Sequence, residues 1–473
     1  YDVLWDSSDN QLEFGDNAKL SFGASSDFQI YHDGNNTILN NTIGSLAIRN
    51  LSGGNTDLYS NADTRLLVAA GEIAVQCYAN GSVQLRHNNL TKLETTNTGA
   101  VVSGICTATS FSGSGENLTR TTQLSHRNVV INGAMQVAQR GTTSTGNTSG
   151  GYKTCDRWEL SLTSAGTWTV TRSGTCPDGF NHSIKLDCTT ANTSLSSTSF
   201  LAIRTAFEGQ DLRRFAKGTT SAKPITVSFY VKTNKNGTYA AELYDVDNTK
   251  IATSLYTVSN NNWNRYEFTI PASTNTGQFV NDSNKSMSLG FILAAGTNYT
   301  NGNQYGFFVQ GSNLNRAAGL TVNLADSTSN EFYLTGVQME EGEIATPYEH
   351  RSFNDELARC QRYFIRYGGE GSYAPIGNGF QRETTQSFIQ GTFPVRMRAH
   401  PVPTLNNTTN GPITTDRYAF DQKVTSIDGS QSRYDNTGFH MRFGHSAVGA
   451  ERRPIFICSD SNGQGTVDFN AEL

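Results

Sequence analysis

Over residues 1–125, apolar and polar positions alternate in very short runs: 11–14, 19–22, 27–31, 45–49, 56–60, 65–69, 72–78, 82–87 and 92–95. Period-two alternation bounded by Gly, Asn, Asp and Ser turns, here every roughly 8–12 residues, predicts strands. Each run holds too few apolar positions to enclose a core within one chain. Threefold winding of identical chains would bury the inward positions and pair the strand edges, so a homotrimeric shaft and collar is expected over 1–127. A monomeric β-solenoid is the competing arrangement, and the irregular spacing disfavours it. His32 reads as a turn residue bonded to its own backbone.

From 128 to 350 the strands lengthen: 168–172, 183–188, 200–207, 225–233, 238–245, 263–270, 286–294 and 332–339. Their number and alternation predict an antiparallel two-sheet jelly roll. The last strand must end before Pro347, which lacks a ladder donor and biases Thr346 away from helix. Ser352, three residues before Asp355, fits a capping box, and Phe353, Leu357, Cys360 and Phe364 share one helical face, so a helix of about two turns follows. Tyr363, Ile365 and Tyr367 then alternate with Phe364 and Arg366, and the helix hands over to a strand near Cys360. This stretch is the expected hinge to a β-rich head over 351–473, with further strands at 386–393, 431–443 and 453–458. The expected fold class is all-β throughout.

Several strings resemble parts of tail-fibre and virion structural proteins of marine cyanobacterial phages. The segments 12–23 and 27–34 resemble repeats along fibre shafts. The small-residue run 99–118 resembles a collar, with Val101, Ile105 and Phe111 as axial contacts. Segments 128–141, Asp156-Arg-Trp, 227–232 and 262–266 resemble, in order, landmarks of carbohydrate-binding-module-like sandwiches. Segment 338–364 resembles the junction to a terminal domain, and 396–404 its strand and proline bend. The resemblance implies a trimeric fibre attached to other tail proteins through a region before Tyr1, located on the virion, and carries no catalytic motif. The chain opens at Tyr1 without an initiator Met, which suggests processing or a longer parent.

Composition sharpens the partner classes. The 473 residues are 36% hydrophobic, 16% charged and 10% aromatic, with 45 glycines, a polar, weakly charged β composition with too many aromatics for disorder. A net charge of -5 offers no electrostatic footprint for nucleic acid or an anionic membrane, and no apolar run reaches transmembrane length. The seven cysteines are spread without C-x-x-C spacing, so neither a zinc site nor an obligatory disulfide framework is expected. Cys155, Cys176 and Cys188 share one domain, and strand order decides whether two of them pair.

Sugar binding needs an aromatic face for C–H stacking beside amide, carboxylate or guanidinium groups. The sandwich candidates are Trp168, Tyr239, Tyr244, Trp263 and Tyr266. Trp158 reads as a core anchor. In the head, Tyr367, Tyr373, Arg396, Arg398 and Arg417 are candidates for receptor contact through the loops 368–380 and 406–417. Glu340 and Glu341 could help hold a structural Ca²⁺, although a solvated acidic loop or pairing with Arg351 is the better explanation. No nucleophile elbow, zincin motif or phosphate loop is present, and no cofactor is implied. The expectation is a non-enzymatic fibre that attaches to a host surface polysaccharide or envelope protein, its weak sites multiplied by avidity. A polysaccharide depolymerase and a bacterial surface adhesin are the alternatives.

Overall fold

The computed structural model describes residues 3–51, 53–107, 125–369, 371–406, 413–415, 422–446 and 454–473. The chain divides into two compact units, Tyr1–Asn117 and Leu118–Leu473.

The first unit is a series of antiparallel meanders. Val3–Asp6 pairs with Gln11–Phe14, and Leu20–Phe22, Phe28–His32 and Thr37–Asn41 make a three-stranded sheet. Thr64–Val68, Glu72–Cys77, Val83–His87, Leu90–Thr96 and Gly99–Val102 follow as a five-stranded sheet in chain order. Strands were also expected at 45–49 and 56–60, but neither stretch has a ladder partner among the described residues; alternation alone does not make a strand where the chain offers no neighbouring edge. Apolar residues pair across strands, Trp5 opposite Leu12 and Val3 opposite Phe14, yet nothing covers them. Ala18 is the one buried hydrophobic residue described in this unit, while Trp5 is 59% exposed and Ile105 is 93% exposed. Phe111 lies outside the described residues. His32 accepts the Gly34 amide at its Nδ1, which also faces Asp16 at 2.9 Å.

The second unit begins with a sandwich. One sheet runs Thr143–Asn147, Thr167–Ser173, Ser183–Thr190, Glu331–Glu341, Ile225–Thr233 and Asn264–Ile270 in spatial order. The other runs Gly151–Tyr152, Glu159–Thr163, Phe200–Glu208, Lys285–Ala295, Gly237–Asp245, Lys250–Val258 and Val309–Gln310. All pairings are antiparallel, and the chain passes between the sheets several times, with hairpins such as Thr167–Ser173 to Ser183–Thr190 and Gly237–Asp245 to Lys250–Val258 staying within one sheet. In Ile225–Thr233 the alternation sends Val227, Phe229 and Val231 into a core shared with Trp158, Trp168, Phe291 and Phe332, while Thr226, Ser228, Tyr230 and Lys232 face outward. The eight expected strands are present within two residues at each end, and Glu159–Thr163 and Lys250–Val258 add to them. Glu331–Glu341 carries a bulge at Gly336, whose φ of +60° and 2.7 Å clearance from the Phe180 ring admit only glycine.

Beyond Pro347 the capped helix is Phe353–Gln361, where the Ser352 side chain accepts the Asp355 amide. Its buried face is Glu356 and Cys360, whereas Phe353 is 52% exposed. The apolar stripe expected there is thus displaced by a carboxylate, because Glu356 accepts the Asn132 amide at 2.5 Å and faces Arg351. The strand Phe364–Gly368 follows and joins Thr466–Asn470 and Val402–Asn406 in a small sheet. The rest of the head closes on itself: Gln386–Thr392, Pro375–Glu383, Pro454–Cys458, Ile413–Thr415, Gln422–Ile427 and Gly438–His445 pair in order, and the last pairs back with the first. It is therefore a small barrel around Ile389, Met441, Phe443, Ile455 and Ile457.

Sandwich and barrel, expected to separate at 350, belong to one unit because their joint is buried and ionic. Glu208, with no exposed surface, accepts Arg362 Nε and Nη2 at 2.7 Å each and the Tyr363 hydroxyl at 2.6 Å. The Arg157 guanidinium lies 3.5 Å over the Tyr363 ring and pairs with Glu472. Arg398 donates to the carbonyls of Ser283, Ala471 and Glu472. The joint is a clasp rather than a hinge. Cys155, Cys176 and Cys188 are free thiols.

Removing one partner from a buried ion pair costs about 3–5 kcal/mol, since the other is left uncompensated. Glu208→Ala should lower the stability of the second unit by that order in urea denaturation, with wild-type sandwich and barrel unfolding in a single transition.

Candidate functional site

Strand parity sorts the sandwich aromatics. Trp168 and Tyr239 point inward and have no exposed surface. Trp168 Nε1 donates to the Ala165 carbonyl at 2.7 Å, and the Tyr239 hydroxyl to that of Lys235 at 2.7 Å. Neither offers a ring face to a sugar, which overturns the stacking role expected of both. Tyr266 also lies on the inner face, at the sheet edge, stacked 5.9 Å from Phe229 with its hydroxyl donating to Thr257. Tyr244 and Trp263 face outward and are half-buried.

Trp263 ends a row across the outer face of the six-stranded sheet. Lys185 opposes Tyr333, Tyr333 opposes Lys232, and Trp263 follows at the start of the neighbouring edge strand. The Trp263 and Tyr333 rings meet edge to face with centroids 6.1 Å apart. Lys185 Nζ lies 5.5 Å and Lys232 Nζ 5.8 Å from the Tyr333 centroid. Lys185 pairs with Glu331 at 2.8 Å, and the Tyr333 hydroxyl donates to the same carboxylate at 3.0 Å. These bonds hold the Glu331 carboxyl below its ordinary range against the opposing effect of burial. An indole edge flanked by fixed cations and a carboxylate suits a polyhydroxylated ring.

On the opposite outer face, Tyr244 lies at the margin of a closed ionic network. Glu242, fully buried, accepts Arg204 at 2.9 Å and Arg316 through both oxygens. Gly290 makes room, since a Cβ there would approach the Glu242 Cγ to 3.2 Å. This cluster fastens the segment around Arg316 to the sheet and leaves Glu242 no free oxygen.

The Ca²⁺ expectation at Glu340 and Glu341 fails on geometry. Adjacent strand residues face opposite ways. Glu340 is spent on the Thr346 amide and hydroxyl and the Gln338 side chain, while Glu341 turns to Lys223 at 3.6 Å. Among the described residues no group of three or more His, Cys, Asp or Glu side chains is placed to hold a metal.

In the head, Tyr367 packs edge-on against Phe439 and Phe469 and donates to the Thr392 carbonyl at 3.1 Å. Arg398 is held in the clasp. Both serve packing rather than the receptor contact expected of them, because each side chain is spent inside the unit. Tyr373 is 50% exposed at φ +58°, and Arg396 is exposed beside the Asn436 amide. Arg417 lies outside the described residues.

Residues missed in the sequence line the joint. A cavity of about 310 Å³ is bounded by Arg140, Tyr152 and Lys153 of the sandwich and by Phe364, Arg366 and Thr404 of the head. A second, of about 380 Å³, shares Arg366 and is walled largely by glycines, Gly141, Gly368, Gly369, Gly463 and Gly465. Arg140 lies 3.6 Å over the Phe364 ring. Arg366 grips Asp468 through two bonds of 2.7 and 2.6 Å. Burial pushes the Asp156 carboxyl up to about 6 against the pull of Arg140. Only the Asp156-Arg-Trp landmark hinted at these residues, since Phe364 lies more than two hundred positions from Arg140 and Asp468 about a hundred from Arg366.

No family model matches the chain, and no curated protein matches it. Distant likeness exists to solved structures. The enzymatically active domain of tailspike protein 4 of bacteriophage CBA120 aligns at 13% identity over 46% of this chain and 21% of that one, TM-score 0.25. The family 11 carbohydrate-binding module from Clostridium thermocellum, in complex with a mixed-linked tetrasaccharide, aligns at 9% identity over 44% of this chain and 98% of its own, TM-score 0.22. The xylan-binding CBM22-1 domain from Paenibacillus barcinonensis aligns at 8% over 44% and 100%, TM-score 0.21. This chain thus spans about a fifth of the tailspike domain's length.

Trp263 and Trp168 make a contrasting pair. Trp168→Ala should cost about 3–5 kcal/mol of stability, as large core truncations do. Trp263→Ala should cost about 1 kcal/mol or less while reducing retardation in polysaccharide-containing gels; thermal melting and affinity electrophoresis read the two effects.

Proposed function

We propose that this chain is a tail-fibre-type attachment protein of a phage, in which a homotrimeric shaft presents sandwich and barrel to a host surface glycan. The observation that carries the reading is the missing monomeric core of the first unit: its apolar side chains lie in rows across short sheets, half-buried or exposed, and Ala18 alone of those described is buried. Exposed apolar surface on that scale belongs to an interface, and identical chains wound together supply one without leaving strand edges free. Attachment to other tail proteins and a place on the virion follow from the same reading, as does the use of three weak sites at once.

The sugar contact belongs to the Trp263 row, where an indole, two lysines and a carboxylate share an outward face. Catalysis is not part of this reading. The closest approach to a catalytic pair among the described residues, Ser387 Oγ to His445 Nε2 at 2.7 Å, is buried, and His445 Nδ1 faces the Ser446 carbonyl rather than a carboxylate. No helix among the described residues is long and apolar enough to cross a membrane.

Sedimentation equilibrium should give a trimer at micromolar concentration that persists when residues 354–473 are removed, and a folded monomer would refute the shaft. The intact trimer should compete with the phage for adsorption to its host and be retarded by envelope polysaccharide without releasing reducing ends. Release of oligosaccharides would make it a depolymerase instead.

A further inference from the structure

The cleft at the joint has an electrostatic property that the clasp does not consume. Asp468 is saturated by Arg366 and by the Asn406 amide at 2.7 Å. Glu472 is shared between Arg157 and Arg140. Asp156 accepts both the backbone and side-chain donors of Gln139. Lys153 is the remainder: it lines the cavity and makes no hydrogen bond or ion pair with any described residue. Arg140, Arg157 and Arg366 thus each face a carboxylate, and Lys153 adds a positive charge with which no described carboxylate pairs.

Arg140 makes a second, independent demand. Its side chain is 9% exposed, and its Nη1 is buried without a hydrogen-bond partner, the Asp156 carboxylate standing off at 3.6 Å. A buried donor left unmet carries the full cost of its desolvation; Asp156 offsets that cost only at a distance, and the guanidinium keeps its positive charge beside the cavity wall. The Tyr152 ring borders the same space and is fixed by its hydroxyl, which donates to the Leu473 carbonyl at 3.2 Å. Thr404 and Asn470 are exposed at the rim.

We infer that this cleft, composed jointly of sandwich and barrel, binds a carboxylated pyranose, a hexuronate unit of an acidic polysaccharide. The carboxylate meets Lys153 Nζ with the Arg140 guanidinium behind it, the sugar's C–H face lies on Tyr152, and its hydroxyls reach Thr404 and Asn470. A cavity of about 310 Å³ is at the small end of ligand sites and suits one sugar ring. The glycine-walled cavity across Arg366 admits the next unit, because glycines let a ligand approach the backbone closely. A single surplus charge matches a monoanionic carboxylate; a phosphate monoester, which carries about two charges near neutrality, overshoots it, and a neutral hexose leaves Lys153 unmet. This inference rests on the glycan-attachment reading but uses a different surface from the Trp263 row.

The test is calorimetric titration of the full chain with uronate trimers of the galacto, gluco, gulo and manno series, their methyl esters, and inorganic phosphate. At least one uronate trimer should bind, its ester at least tenfold more weakly. Lys153→Gln should weaken that binding at least tenfold with an unchanged melting temperature, and Lys153→Arg should restore most of it. Failure of every uronate, equal binding of the ester, unchanged affinity in Lys153→Gln, or binding of phosphate alone would each overturn the inference. Retardation by envelope polysaccharide that depends on Trp263 but not on Lys153 would overturn it while leaving glycan attachment standing.

Discussion

A carboxylate with no exposed surface, Glu208, stands at the end of a sandwich strand, and the second unit is arranged around its need for partners. An isolated buried charge is too costly to persist, so the Arg362 guanidinium and Tyr363 hydroxyl must arrive together from the head. That requirement places the helix Phe353–Gln361, which delivers both, and Arg157 then covers the Tyr363 ring while reaching Glu472. Ionic joints of this kind add less stability than apolar packing of equal size. They do impose one geometry, since each partner is specified by direction as well as by distance.

A joint with one geometry also fixes the shape of what lies beside it. The two cavities meeting at Arg366 take walls from both the sandwich and the head, so their form depends on the clasp holding. The Trp263 row needs only the sandwich sheet beneath it. The unit therefore carries two kinds of candidate surface: a flat aromatic face set by strand register, and a charged cleft set by the docking of two folds.

The first unit obeys the opposite logic. Its hydrogen bonds close within the chain, strand to neighbouring strand, while its described apolar side chains, Ala18 apart, stay half-buried or exposed. Backbone pairing needs only a tight turn, whereas a core needs a second layer. The second unit supplies that layer from its own sequence by crossing between sheets, and its aromatics interlock across the gap, Phe229 against Phe291 at 4.7 Å and Tyr239 against Phe332 at 5.8 Å.

What the sequence determined by itself was whatever depends on near neighbours. Strand alternation located the sandwich strands, the last of them stops before Pro347, and Ser352 with Asp355 marked a helix that is present and capped as expected. The short alternations of the shaft were legible too, except at 45–49 and 56–60, where a strand required an edge that the chain does not bring there. Which aromatics are available was decided by tertiary structure. Trp168 and Trp263 are the same residue type in similar strand contexts, and only the identity of each sheet's inner face makes one a core anchor and the other a surface group. Glu340 and Glu341, an acidic cluster in sequence, are divided by the pleat, and Arg398, a loop cation in sequence, is spent on three carbonyls. The barrel closure and the joint cleft were invisible for a related reason. Lys153 and Thr404, or Arg140 and Glu472, have nothing in their local sequence to connect them, and they become neighbours only when a buried carboxylate on one fold selects its partners on the other.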